Sequence, residues 1–338
     1  KNSAFPPDPS MLALLHSASR HSVAKAGPGH PRRPGSTEGN PMANNIRDRI
    51  AGRLRNLMSD PLEPGHREAV TVAIASSKGG VGKTTTTANL GTGLAMRGHR
   101  VVVIDTDIGL RNLDVVMGLE NRIVYDLVDI IEGNCKMHQG MIKDKNHQDL
   151  YLIPAAQTRD KNCITEEQVK ELCQKLESEF DYVLIDCPAG IEQGFRNAIA
   201  AAQEAIIVTT PEVSAIRDAD RVIGLLAAAD VHNPKLIINR VRPGMVKRGE
   251  MMDKDDIIDL LAIEVLGMVP ADDRLITATN QGTPVINDKR AVSGAAFSRI
   301  TARIDGDDVP LMDLDPKTGI MGKVKEIMGI NRGAYSHA

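Results

Sequence analysis

From Ala69 onward the chain alternates short apolar runs with longer stretches in which apolar residues recur every three or four positions, the pattern of strands interleaved with amphipathic helices. The runs are Val70 to Ala75, Arg100 to Ile104, Leu150 to Ile153, Tyr182 to Ile185, Ala205 to Thr209, Lys235 to Ile238 and Val265 to Val269. Most are apolar at nearly every position rather than at alternate ones, which requires a sheet covered on both faces. The pattern therefore predicts an α/β fold over residues 69–305: one doubly wound, mostly parallel sheet of about seven to eight strands with helices on both faces. Between strands, Thr165 to Phe180 carries Val169, Leu172, Cys173, Leu176 and Phe180 on one stripe, and Thr165 with Gln168 reads as a capping box.

The two ends break this pattern. Residues 1–68 are rich in proline, glycine and serine, and through Arg55 their bases far outnumber Asp8, Glu38 and Asp48. Such a segment buries too little apolar surface to order itself, so a disordered or targeting N-terminal extension is predicted. The chain opens on Lys1, which fits a fragment, a processed form or a translation running upstream of Met11 or Met42. Within residues 45–57, Ile46, Ile50, Leu54 and Leu57 fall on one face of a short basic amphipathic helix, suited to membrane contact or import, or equally to packing on its own domain.

Residues 306–338 begin with a linker, Asp313 to Pro316, and end in a second amphipathic pattern. Ile320, Val324, Ile327 and Met328 share a stripe with Met321 beside them, while Lys323, Lys325 and Glu326 lie opposite. A terminal helix of this kind docks on its own core or on lipid. Gly322 and Gly329 weaken it in isolation and favour lipid, which supplies the missing stability. A lysine near an anionic surface adds only about 1 kcal/mol, so one tail binds marginally, whereas a dimer presenting two gains avidity.

Composition narrows the function classes. No stretch of the 338 residues approaches the ~18 consecutive apolar positions of a transmembrane helix. The net charge of −3 disfavours a general nucleic-acid coat, and 2% aromatic residues leave few platforms on which bases could stack. Cys135, Cys163, Cys173 and Cys187 show no ligand-like spacing and read as core thiols of a reducing compartment.

Directly after the first predicted strand comes Ser77-Lys78-Gly79-Gly80-Val81-Gly82-Lys83-Thr84, followed by a helical pattern that Gly98 closes. A strand, a glycine loop and a helix start make a phosphate cradle: backbone amides turn inward, Lys83 neutralises charge and the Thr84 hydroxyl can ligate Mg2+. The general pattern GxxxxGK(S/T) asks for glycine where this chain has Ser77, and adds Lys78 beside the glycines. Asp105 and Asp107 sit at the end of the second strand, and Asp186 at the end of the fourth, on the edge where open α/β sheets bind ligands. Phosphoryl transfer to water needs charge neutralisation and a positioned water more than a strong base, so carboxylates at this edge suffice.

The run from Lys78 to Thr84 resembles the deviant Walker A motif of the MinD/ParA family of ATPases. The segments Val101 to Asp114, Gln157 to Lys161, Asp186 to Glu192 and Pro211 to Ser214 resemble its septum-positioning branch; where ParA proteins usually carry a Pro-Gln pair, this chain has Ile108-Gly109. The likeness covers roughly residues 70–330 and implies an ATP hydrolase of the P-loop type that uses ATP and Mg2+. It implies nucleotide contacts from Lys78, Gly79, Gly80, Val81, Gly82, Lys83, Thr84 and Thr85. Lys78 would act on the phosphates of a partner in an ATP-bound homodimer. Asp107 would orient water with Asp105 in support, and Thr84 and Asp186 would hold Mg2+. The Gly190 amide would sense the γ-phosphate, and Asn239, Arg240 and Pro270 would surround adenine, although Arg240 fits a surface charge equally well.

The same resemblance implies membrane cycling through the C-terminal helix, septum placement, and two protein partners, a MinC-like inhibitor and a MinE-like activator. Arg217 and Asp218 match the partner-facing surface, or form a plain exposed charge pair. The expected location is the cytoplasm and peripheral inner membrane of a bacterium, or the stromal side of a plastid if the extension is a transit peptide. No nucleic acid is expected as a partner. A ParA-like DNA-segregation ATPase would need a basic patch that the net charge disfavours, and an iron–sulfur carrier of the same superfamily would need a CxxC that is absent.

Overall fold

Eight strands form the sheet: β1 (Val70–Ala75), β2 (Val101–Asp105), β3 (Ile142–Lys143), β4 (Leu150–Ile153), β5 (Tyr182–Asp186), β6 (Glu204–Thr209), β7 (Lys235–Val241) and β8 (Val265–Pro270). The computed structural model describes residues 69–160 and 163–314, all within a unit of the chain that begins at His66. The N-terminal extension and the tail stripe of Ile320, Met321, Val324, Ile327 and Met328 lie outside the described residues. The strand order is β3-β4-β2-β5-β1-β6-β7-β8, parallel throughout except for β3 against β4. Seven strands match the apolar runs; β3 is two residues long, too short to show as a run.

Eleven α-helices are described: α1 (Lys83–Met96), α2 (Leu113–Met117), α3 (Leu127–Ile131), α4 (Met137–Gly140), α5 (Glu166–Glu177), α6 (Gln193–Ile199), α7 (Val213–Ala228), α8 (Pro243–Lys247), α9 (Lys254–Leu261), α10 (Asp273–Asn280) and α11 (Val292–Ile304). Alternation along β1 feeds two cores. Val72 and Ile74 join Leu90 and Leu94 of α1 and Phe297 and Ile300 of α11 on one face of the sheet. Ala73 and Ala75 join Leu172 and Leu176 of α5, Phe195 of α6 and Ile216 of α7 on the other. The predicted capping box is present on α5: Gln168 N–H donates to Thr165 Oγ1 at 3.3 Å, and Thr165 N–H to Gln168 Oε1 at 2.9 Å.

Helix α1 lacks a polar face because it is clamped between the sheet and α11, and it is buried from Thr86 through Leu94. Two glycines permit that approach. A Cβ at Gly91 would stand 2.6 Å from Val103 Cγ1, and one at Gly93 would stand 2.5 Å from Thr301 Oγ1. This fixes the loop that precedes α1. The chain leaves β1 for β2 on one side of the sheet and reaches β6 on the other, so β1 lies where the strand order reverses. The loops after β1, β2 and β5 therefore open at the crevice where such folds bind ligands.

The thiols divide into two kinds. Cys173 and Cys187 are core residues whose thiols burial pushes up to about 12, as the core-thiol reading expects. Cys163 is half-buried and packs against the core from its edge, whereas Cys135 is half-buried outside that cluster, which corrects the core-thiol reading for Cys135.

Candidate active site

The loop from Ser76 to Gly82 turns through two left-handed residues, Gly80 at φ +80 and Gly82 at φ +98. Gly82 caps α1 with no side chain, so the first-turn amides keep their donors for a ligand. A side chain at Gly82 would also run into the Asn239 amide nitrogen. Asn239, at the end of β7 and 5% exposed, donates its Nδ2–H to the Val81 carbonyl at 2.8 Å and accepts the Arg240 N–H on Oδ1 at 2.8 Å. The side chain expected against adenine thus also braces the phosphate loop. Arg240 is held in the left-handed region at φ +57.

Behind the loop lie the charges. Lys83 Nζ stands 3.1 Å from Asp186 Oδ1, with the two side chains 7% and 1% exposed. Burial pulls the Lys83 ammonium down, but the Asp186 carboxylate and its neighbours outweigh burial and hold the lysine above its ordinary value. Asp105 is the register partner of Asp186 across β2 and β5, so two buried carboxylates share one lysine. Asp105 accepts the Asp107 N–H on Oδ1 at 3.0 Å, and the Asn112 and Leu113 N–H groups on Oδ2, each at 3.2 Å. One buried carboxylate therefore folds the whole loop from residue 107 to the start of α2 around itself.

Burial first, and then the charge of Asp186, push the Asp105 carboxyl up to about 7, against the pull of those three amides. The sign for stability follows. An unfolded Asp105 loses its proton near pH 4 while the folded one keeps it to about 7, so stability from this residue is complete below pH 4 and is lost as pH rises through 7. Urea unfolding at pH 5 and pH 8 should show the nucleotide-free protein less stable at pH 8, and Asp105→Asn should flatten that difference. Equal slopes in the two proteins would assign the pH dependence elsewhere.

A cavity of about 400 Å³ gathers Lys78, Gly79, Gly80, Gly82, Lys83, Thr84, Thr85, Asp107 and Arg240. Asp105, Asp186 and Val81 are buried behind it. Gly190 follows Ala189, whose Cβ would lie 4.0 Å from a Cβ on Gly79, so the loop after β5 abuts the phosphate loop. Pro270 does not reach this cavity; it is buried opposite Val241. A larger space of about 750 Å³ shares Arg240 and continues past Arg242, Met245 and Pro211.

Local spacing did not reveal several contributors. Leu110, Asn112, Val116 and Ala189 also line the cavity. Thr87 donates toward Asp186, and Arg111, held at φ +34, pairs its Nε with the fully buried Asp114 at 2.9 Å. Burial pushes the Asp114 carboxyl up while Arg111 pulls it down. Leu110, Arg111, Asn112, Asp114 and Ala189 fall inside segments singled out by resemblance, and the run of four threonines puts Thr87 one turn beyond Lys83. Away from the site, Arg217 is exposed on α7 and Asp218 half-buried, 4.0 Å from Arg221. No described helix is long and apolar enough to cross a membrane.

The donors fit a hard divalent cation: Thr84 offers a hydroxyl at the cavity wall, Asp186 a carboxylate, and the Asp105–Asp186 pair a concentration of negative charge that a single lysine incompletely offsets. Residues 69–238 match the family model described as an AAA domain. The chain is 55% identical over 262 residues to the septum site-determining protein MinD of Bacillus subtilis, covering 77% of this chain and 98% of that protein. Among solved structures it is similar to the MinC:MinD cell division protein complex of Aquifex aeolicus, at 45% identity and a TM-score of 0.69 over 72% of this chain and 99% of that one. It is also similar to MinD complexed with Mg-ADP from Pyrococcus horikoshii, at 27% identity and a TM-score of 0.65 over 70% and 96%.

Proposed function

Since this chain belongs to the MinD family of septum site-determining ATPases, we propose that it is a membrane-cycling ATP hydrolase that dimerises on ATP and attaches through its C-terminal helix. One observation carries this reading: the glycine loop, Lys83, Thr84 and Asp107 meet in a single cavity beside a buried lysine–carboxylate pair. The amides of Gly79 to Thr85 hold the phosphates and Lys83 neutralises them. Thr84 and Asp186 would hold Mg2+, which would offset the charge that grows on the phosphate oxygens. Asp107 orients the attacking water and Asp105 fixes its loop. Gly190 offers its amide to the γ-phosphate, and Asn239 and Arg240 flank the base, whereas Pro270 lies too far from the cavity to do so. Lys78, exposed at the cavity rim, serves the phosphates of a second copy across the dimer.

A dimer brings two tails to one face, so weak lipid contacts become avid, and hydrolysis reverses the gain. The relative solved with MinC supports a MinC-like inhibitor as partner, and we place it, together with a MinE-like activator, on the surface that carries Arg217 and Asp218. The protein would then work in the cytoplasm and at the inner membrane of a bacterium, or on the stromal side of a plastid envelope. The tail gives the test. Ile327→Glu sets a charge on the lipid-facing stripe, so sedimentation with anionic vesicles in ATP should fall by about tenfold while ATP binding in solution persists. Unchanged vesicle binding would remove the tail as the anchor and leave the basic stretch at residues 45–57 as the next candidate.

A further inference from the structure

Thr87 lies one helical turn beyond Lys83 on α1 and is fully buried. Its hydroxyl stands 3.0 Å from Asp186 Oδ1 and 3.1 Å from the Lys83 carbonyl. A hydroxyl has one proton to give. The Lys83 carbonyl already receives an amide from its own helix, whereas Asp186 Oδ1 carries charge in a buried place, so the proton belongs to the carboxylate. The same oxygen accepts from Lys83 Nζ at 3.1 Å, and among the described residues no hydrogen bond falls on Asp186 Oδ2. Two donors on one oxygen fix the edge of the carboxylate that faces the helix and leave the other edge for a cation and its water.

Lys83 has a second duty in the reading above, on which this inference rests: it serves the phosphates. When its ammonium turns to them, the donor that stays on Asp186 is Thr87, fixed to the rigid α1 backbone. We propose that Thr87 is a positioning residue for the metal, holding the Asp186 carboxylate in the orientation that receives Mg2+ after nucleotide has claimed Lys83. A threonine that merely bonds back to its own helix would make the Lys83 carbonyl its partner and leave metal binding untouched.

Fluorescent ADP binding, titrated with Mg2+ and repeated in EDTA, separates the two. In EDTA, Thr87→Val and Thr87→Ser should bind nucleotide within about twofold of wild type, because the phosphate loop is intact. In the titration, the Mg2+ concentration at half effect should rise about tenfold in Thr87→Val, the low end of what loss of an outer-sphere partner costs a metal site, and Thr87→Ser should restore it. Thr87→Ala removes the hydroxyl with less bulk and carries the same measurement if Thr87→Val does not fold. A wild-type midpoint in the valine or alanine variant, or a serine variant as impaired as valine, overturns the proposal. A wild-type chain that binds no nucleotide in either condition overturns instead the reading of the site beneath it.

Discussion

Lys83→Ala should lower ATP turnover by at least about a hundredfold and weaken nucleotide binding in parallel, because one change removes two functions. The lysine is the charged donor at the cavity floor, where a phosphate group with several negative charges would sit. It is also the counter-charge to Asp186 at 3.1 Å, in a place where both side chains are shielded from water. Without it, Asp186 and its register partner Asp105 face each other with no counter-charge, and nucleotide would bring further negative charge to the same spot. Breaking a buried pair from one side costs about 3–5 kcal/mol, so the variant should also melt lower. Isothermal titration with ATP at a temperature where the variant is folded separates the effects. Affinity within threefold of wild type there would mean that Lys83 is a structural residue only.

Much of this architecture is legible in the sequence. Strands buried on both faces announce themselves as apolar runs, and β1, β5 and β6 did so; β3, with two residues, offers no run to read. The phosphate loop was legible because its residues are consecutive. What stayed hidden is what the sheet brings together from afar. Asp105 and Asp186 are ordinary strand-end acids in sequence, and only the fold buries them side by side in the β2–β5 register, where burial first and the neighbouring charge second push one carboxyl up to about 7. Asn239 meets Val81 across 158 positions, so its bracing of the loop leaves no mark on local spacing. The Cys135 reading failed for the opposite reason: an isolated thiol carries no pattern that tells core from surface.

Asp107→Ala should leave ATP affinity nearly unchanged and slow hydrolysis by about a hundredfold or more. Asp107 is half-buried in the wall of the cavity, and its amide, not its carboxylate, is what Asp105 holds in the fixed loop, so the backbone should survive the change. Removing a side chain that orients water spares binding while stripping the chemical step. ATP-loaded dimers should therefore accumulate. Loss of affinity as large as that of Lys83→Ala would move Asp107 from the chemistry to the binding of nucleotide.

Nucleotide-switched attachment is the central claim, and sedimentation with anionic vesicles tests it most directly. Wild-type protein should pellet with vesicles in ATP, return to the supernatant as ATP is converted to ADP, and show no ATP-dependent binding to duplex DNA in a parallel tube, whereas Asp107→Ala should remain on the vesicles throughout. Equal vesicle binding in ATP and ADP, or ATP-dependent pelleting with DNA in place of lipid, would contradict it.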